Sequence, residues 1–237
     1  MKNLRTAAGA SRPFYEEPDV ERMCEDELRA HGYYPSAPSR VNIERFIEKR
    51  FGVTPRYEEM REGILGFSRF GAKGMLSMHI SQALVEEGSQ AAERRVNTTL
   101  AHEAGHGLLH MHLFALGDYD STLFGNDPDV SHEQVMCRGE REEVAIAQRP
   151  VRRAYDGKWW ELQANMVIGP LLMPAKLVVE ALGPFRIVRG SMGLEEIDPR
   201  RREEAVRQVA DVFDVNPAAA RIRLDKMYKP SGPQLTF

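Results

Sequence analysis

Apolar residues recur at helical spacing between Pro18 and Ala30, where Val20, Met23, Cys24 and Leu28 share a face, acids crowd the first turn and Gly32 offers a stop. The run NIERFIEKRF repeats that pattern, with Asn42 placed to cap it and Gly52 to end it. The period then changes to two. ILGFSRF (64–70) and MLSMHIS (75–81) alternate between apolar and polar positions, and Gly71-Ala72-Lys73-Gly74 between them predicts a hairpin; TPRYEEM ahead of it offers a third strand.

Helical spacing returns from about Ala91 to Met111. Residues 113–157 are polar, Gly- and Asp-bearing and weakly periodic, the signature of a long functional loop. A helix is expected to start near Trp159, with Pro174 in the first turn of the next, AKLVVEAL. The stretch IDPRRREEAVRQVADVFDVNPAAARIRLDKMY predicts two or three short helices, and residues 1–17, lacking any period, a loose arm.

The chain has 237 residues, 42% of them hydrophobic, enough for one sizeable core. Its net charge of −3 gives no overall pull toward polyanions, so any contact with nucleic acid must be regional. Two cysteines, Cys24 and Cys137, far apart in sequence, make no dense disulfide framework, which points to a reducing compartment. The N-terminal residues hold no uninterrupted apolar segment of the secretory kind. MVIGPLLMPAKLVVEAL is broken by Gly169, Pro170, Pro174 and Lys176, so the expected location is the cytoplasm, with no membrane partner.

Four of the seven histidines fall within TLAHEAGHGLLHMH (99–112). His102 and His106 are one helical turn apart on one face and can share an ion. Glu103, about 100° further round the helix, is out of line with them but can reach a water on that ion, which is the physical content of H-E-x-x-H. A catalytic zinc needs a third protein ligand. His112 has the metzincin spacing, but the glycine that lets the chain fold back is replaced by Leu109. His110 continues the i, i+4 row, yet a straight helix cannot wrap three side chains round one ion, so a supporting role behind a ligand suits it better. Glu161, from a separate helix, is by spacing alone one acid among many.

The segments RRVNTTLAHEAGHGLLH and WELQANMVIGPLLMP resemble the ImmA/IrrE family of metallopeptidases over roughly residues 40 to 180. In that family a second helix of the form E-x-x-A-N…LLMP follows the H-E-x-x-H helix and its first Glu completes the zinc site. The resemblance implies Zn2+ held by His102, His106 and Glu161, with Glu103 as general base. Asn165, one turn after Glu161, is placed to support a ligand, as is His110. Two departures stand out. The connection to Glu161 is long, as an inserted lid would be, and Gly169-Pro170 predicts a kink beyond the ligand.

Within that connection, Cys137 could offer a thiolate as an inhibitory fourth ligand, making the enzyme latent until the loop moves. RPVRRAYDGKWW interleaves Arg149, Arg152, Arg153 and Lys158 with Tyr155, Trp159 and Trp160, a composition suited to single-stranded nucleic acid, which would then be the activator. Tyr155 and Arg153 are also candidates for stabilising an oxyanion. Near the C-terminus, REEAVRQVADVFDVNPAAARIRL is similar to a helix-turn-helix, expected to pack on the protease; as a DNA reader it would present Arg221, Arg223 and Lys226.

The expected fold is therefore α+β: a mostly helical zincin-like core with a small antiparallel sheet, and a C-terminal helix-turn-helix-like segment. The expected divisions are an arm at 1–17, a metallopeptidase domain at 18–190 containing the insert 113–157, and a helical segment at 191–237. The resemblance implies a zinc endopeptidase that cleaves a partner helix-turn-helix repressor, relieving repression during stress, DNA damage, mobile-element activity or antiphage defence. A DNA-binding regulator with a structural or vestigial metal site is the alternative.

Overall fold

In the first turn of α1 (Glu17–Ala30), Pro18 loses no hydrogen bond and Glu17 and Asp19 meet the positive end of the helix dipole. α2 (Ile43–Phe51) is closed at both ends: the Asn42 side chain accepts from the Arg45 N–H at 3.2 Å, and Gly52 terminates it at φ 71°. The computed structural model describes residues 2–5, 11–71, 73–111, 134–139, 159–189 and 194–228. It is α+β, as the hydrophobic pattern predicts.

The predicted hairpin forms from β4 (Ile64–Gly71) and β5 (Gly74–Ser81), and β3 (Arg56–Glu58) joins it. A further strand from the long polar connection, β6 (Gln134–Gly139), pairs with β4, giving the order β3-β5-β4-β6. The sheet is mixed, where an antiparallel one was expected: β3 runs parallel to β5, from Arg56 opposite His79 to Glu58 opposite Ser81. The segment between β3 and β4 reverses the chain but leaves a gap one strand wide, which β5 then fills. The N-terminal residues, expected as a loose arm, contain a strand pair, β1 (Lys2–Arg5) with β2 (Ser11–Phe14).

After the short α3 (Gln82–Glu86) comes α4 (Gln90–Leu109), the histidine helix, whose first turn is capped by Ser89 accepting from the Ala92 N–H at 3.1 Å. α5 (Trp159–Leu172) continues through Pro170 as helix, and the Met173 N–H reaches the Gly169 carbonyl at 2.8 Å. The axis then turns by 51° between α5 and α6 (Ala175–Ala181), where Pro174 is the N-cap. β7 (Arg186–Arg189) and β8 (Leu194–Ile197) form a hairpin that the alternation in so short a run did not reveal. The chain ends in α7 (Arg202–Phe213) and α8 (Pro217–Met227), joined through Asp214 at φ 51°. Among the described residues no single helix is long and apolar enough to cross a membrane.

One core links the helices with β4, β5 and β8. Phe46 and Ile47 of α2, Phe70, Met78 and Ile80 of the sheet, Leu100 of α4, Leu171 of α5 and Val206, Val209 and Phe213 of α7 belong to one buried cluster. The C-terminal helices are thus packed onto the rest by burial of apolar surface, and their cations are engaged. Arg221 donates to Glu203 at 2.6 Å, Lys226 lies 3.0 Å from Glu17, and the buried Arg223 donates to Glu21 at 2.6 and 2.8 Å and to the Met173 carbonyl at 3.0 Å. Arg223 therefore ties α8 to α1 and α5 rather than facing outward as a reader of DNA.

α4 is held between the sheet and α5 by two close approaches. A Cβ on Gly66 in β4 would stand 2.8 Å from Thr99 Cγ2, and one on Gly105 would stand 2.9 Å from the Ala164 carbonyl oxygen and 3.0 Å from its Cα. Backbone cannot give way as a flexible side chain can. Gly105→Val is expected to destabilise the chain by about 2–3 kcal/mol through overpacking, with loss of the α4–α5 register, read as a lower urea midpoint at unchanged m-value.

Candidate metal centre

From Thr98 to Gly107 every residue of α4 is buried, although the run includes Thr98, Thr99, His102, Glu103 and His106. Each of those polar groups must find a partner or forfeit its hydration. Thr98 and Thr99 donate back to the Arg94 and Arg95 carbonyls at 2.8 and 2.9 Å. The other three find theirs on two different elements, α5 and β4.

α5 supplies two i, i+4 pairs. Glu161 and Asn165 flank His102: Glu161 Oε2 lies 3.0 Å from His102 Nε2, and Asn165 Oδ1 lies 3.1 Å from His102 Nδ1. Trp159 and Gln163 flank His110, with Gln163 Oε1 3.1 Å from His110 Nε2 and the Trp159 ring edge-on to the imidazole at 5.4 Å between centroids. His106 bridges the two groups, its Nδ1 3.1 Å from His110 Nδ1 and its Nε2 3.1 Å from His102 Nε2 and 3.5 Å from Glu161 Oε2.

These contacts fix the tautomers. Asn165 Oδ1 accepts, so His102 carries its proton on Nδ1 and presents a lone pair at Nε2. His106, with Nε2 turned to the same point, carries its proton on Nδ1 and donates it to His110 Nδ1; His110 then donates from Nε2 to Gln163 Oε1. Two imidazole lone pairs and a carboxylate oxygen now face one another, an arrangement that repels unless positive charge sits between them. The Glu161 carboxyl responds to protons at the same point: burial pushes its pKa up, but where the two rings instead carry protons on Nε2 and donate to it, those hydrogen bonds from His102 and His106 outweigh burial and hold it well below the usual carboxylate range.

His102, His106 and Glu161, all buried, can hold a metal ion. A tetrahedral ion bonded at about 2.0–2.1 Å needs donors about 3.3–3.4 Å apart, and the observed separations of 3.0, 3.1 and 3.5 Å straddle that value. Two imidazoles and one carboxylate suit zinc and its first-row neighbours, whereas calcium and magnesium favour all-oxygen sets.

Glu103 takes no part in this triangle. Its carboxylate, fully buried, turns to β4, where the Ser68 hydroxyl donates to Oε2 at 2.7 Å. Ser68 and Gln163 were not singled out from sequence. Nothing marks a serine in an alternating strand as the partner of a glutamate 35 positions on, whereas Gln163 had a signal in lying one turn from Trp159 on the Glu161 helix.

The remaining expected site residues divide. Trp159, read as a base-stacking ring, is 6% exposed and packs on His110, and Trp160 is half-buried against the core. A single-stranded nucleic acid patch thus loses Trp159, while Arg149, Arg152, Arg153, Tyr155 and Lys158 lie outside the described residues, as does His112. The Cys137 backbone sits in β6 opposite Phe67, but its thiol lies outside the described side chains. Cys24 is buried in the core, where burial pushes its thiol far up, so it is inert.

No protein-family profile and no curated protein matches the chain.

Supporting groups of this kind tune affinity. Asn165→Ala is expected to weaken zinc binding about 10- to 100-fold by freeing the His102 ring, measured by competition with a chromophoric chelator, while leaving the fold intact by circular dichroism. Binding must also fail on acidification toward about pH 5, because protons compete for the two imidazoles.

Proposed function

We propose that the chain is a zinc-dependent endopeptidase. The observation that carries this reading is the convergence of His102, His106 and Glu161 on one point while Glu103, adjacent in sequence, is directed to a separate anchor. Zinc bound there would act as a Lewis acid, polarising a peptide carbonyl and making a water acidic near neutral pH.

The chain's own residues supply the rest. His102 and His106 stay neutral, with their Nδ1 protons committed to Asn165 and His110, so their Nε2 atoms remain donors. Glu161 would contribute the single negative charge among the three groups that would hold the ion. Glu103, held by Ser68, accepts the proton from the attacking water as its oxygen bonds to the carbonyl carbon, and delivers that proton to the departing amine. Burial of α4 around these groups keeps the surroundings at low dielectric, where such charge interactions are strong.

The substrate class follows from the likeness to ImmA/IrrE metallopeptidases in TLAHEAGHGLLH and WELQANMVIGPLLMP: a helix-turn-helix transcription repressor, cleaved to relieve repression under stress, DNA damage or attack by mobile elements and phage. The engagement of Arg221, Arg223 and Lys226 by acids supports this reading over that of a DNA-binding regulator.

Incubating the zinc-loaded protein with the helix-turn-helix repressor encoded nearest to it, and reading fragments by mass spectrometry, tests the proposal. Cleavage is expected. Glu103→Gln is expected to lower turnover by at least about 100-fold while retaining stoichiometric zinc; an undiminished rate in that variant would remove Glu103 from the chemistry.

A further inference from the structure

Glu103, a buried carboxylate beside the candidate ligands, is anchored on the sheet by Ser68 of β4. We infer that Ser68 is a positioning residue for the Glu103 carboxylate, so that strand β4 helps to set where the base stands; this rests on the peptidase reading for its catalytic consequence.

The geometry is specific to this strand and helix. Thr99 and Glu103 are one turn apart on α4, about 6 Å along its axis; Gly66 and Ser68 are two apart on β4, about 6.6 Å along the strand and on one face. The two spacings match, so β4 runs alongside α4 with Gly66 against Thr99 and Ser68 against Glu103. A serine hydroxyl has a short reach, and the strand must lie close for it to make a 2.7 Å bond. Gly66 permits that approach, since a Cβ there would meet Thr99 Cγ2 at 2.8 Å.

Ser68 is itself immobile. It is fully buried and paired in register on both sides, with Met78 of β5 and Met136 of β6. A glutamate on a helix has three rotatable side-chain torsions and would otherwise spread its carboxylate over several positions. A hydroxyl donating to one carboxylate oxygen restricts that freedom.

The test uses the zinc-loaded full chain and a quenched-fluorescent peptide library. Ser68→Ala should lower kcat about 10- to 100-fold with KM and zinc content unchanged, and should add no further loss to Glu103→Gln. Gly66→Ala, which pushes β4 away with Ser68 intact, should lower kcat in the same direction, and Ser68→Thr, which keeps the hydroxyl, should recover part of the Ser68→Ala loss. Full turnover in Ser68→Ala, or a loss explained by missing zinc, would overturn the inference.

A second measurement does not depend on cleavage. In the metal-free protein, a denaturation cycle of Ser68→Ala, Glu103→Gln and the double variant should show coupling of about ten- to hundredfold in the unfolding constant, the range for a hydrogen bond to a charged group. Additive effects would overturn the contact even in an active peptidase, whereas strong coupling in a protein that cleaves nothing would leave the contact standing and remove the peptidase reading.

Discussion

At Gly105 the backbone of α4 lies so close to that of α5 that a single added methyl group would come within 2.9 Å of the Ala164 carbonyl oxygen. That approach decides what the flanking turns can do. His102 and His106 lie on either side of Gly105, and Glu161 and Asn165 on either side of Ala164, so this close approach falls among the candidate ligands. A glutamate reaches only a few ångströms from its helix. Were the axes separated by the width of one more side chain, Glu161 would fall short of both imidazoles, and the lone pairs of His102 and His106 would face an apolar gap instead of a carboxylate.

The same closeness explains why α4 tolerates so much buried polarity. Burying an imidazole or a carboxylate without a partner costs several kcal/mol in stability terms, yet α4 buries four such side chains between His102 and His110. Each finds its partner on an element brought near by a missing side chain: α5 through Gly105, β4 through Gly66. The helix thus sorts its polar groups by direction. The candidate ligand nitrogens, with Asn165, Gln163 and Trp159 behind them, face α5, and the candidate base faces the sheet. Reaction geometry under the proposed mechanism depends on how two separate structural units are docked, which is a reason for the continuous apolar core linking them.

Much of this was legible in the chain. The i, i+4 histidines, Asn42 and Gly52 as helix ends, and the Gly-bracketed hairpin are local patterns, and local patterns survive folding. Glu161 was not distinguishable by spacing; only its likeness to a known motif raised it above other acids, and the structure then places it 3.0 Å from His102 Nε2. Features that depend on long-range docking were illegible or misread. β3 runs parallel to β5 because of where β5 inserts, and Trp159, whose neighbours suggest a nucleic-acid surface, is drawn inward by His110. Ser68 carries no local mark at all, since its role is defined by a strand and helix that meet only in the folded chain.

Zinc K-edge X-ray absorption on the metal-loaded protein tests the central claim most directly, because it reads the ligand atoms themselves. The account predicts one ion per chain with a shell of nitrogen and oxygen at about 2.0–2.1 Å, the multiple-scattering signature of two imidazoles, and loss of one imidazole in His106→Ala. A protein that takes up no stoichiometric ion, or an ion whose shell is unchanged when His102, His106 and Glu161 are replaced in turn, would contradict it.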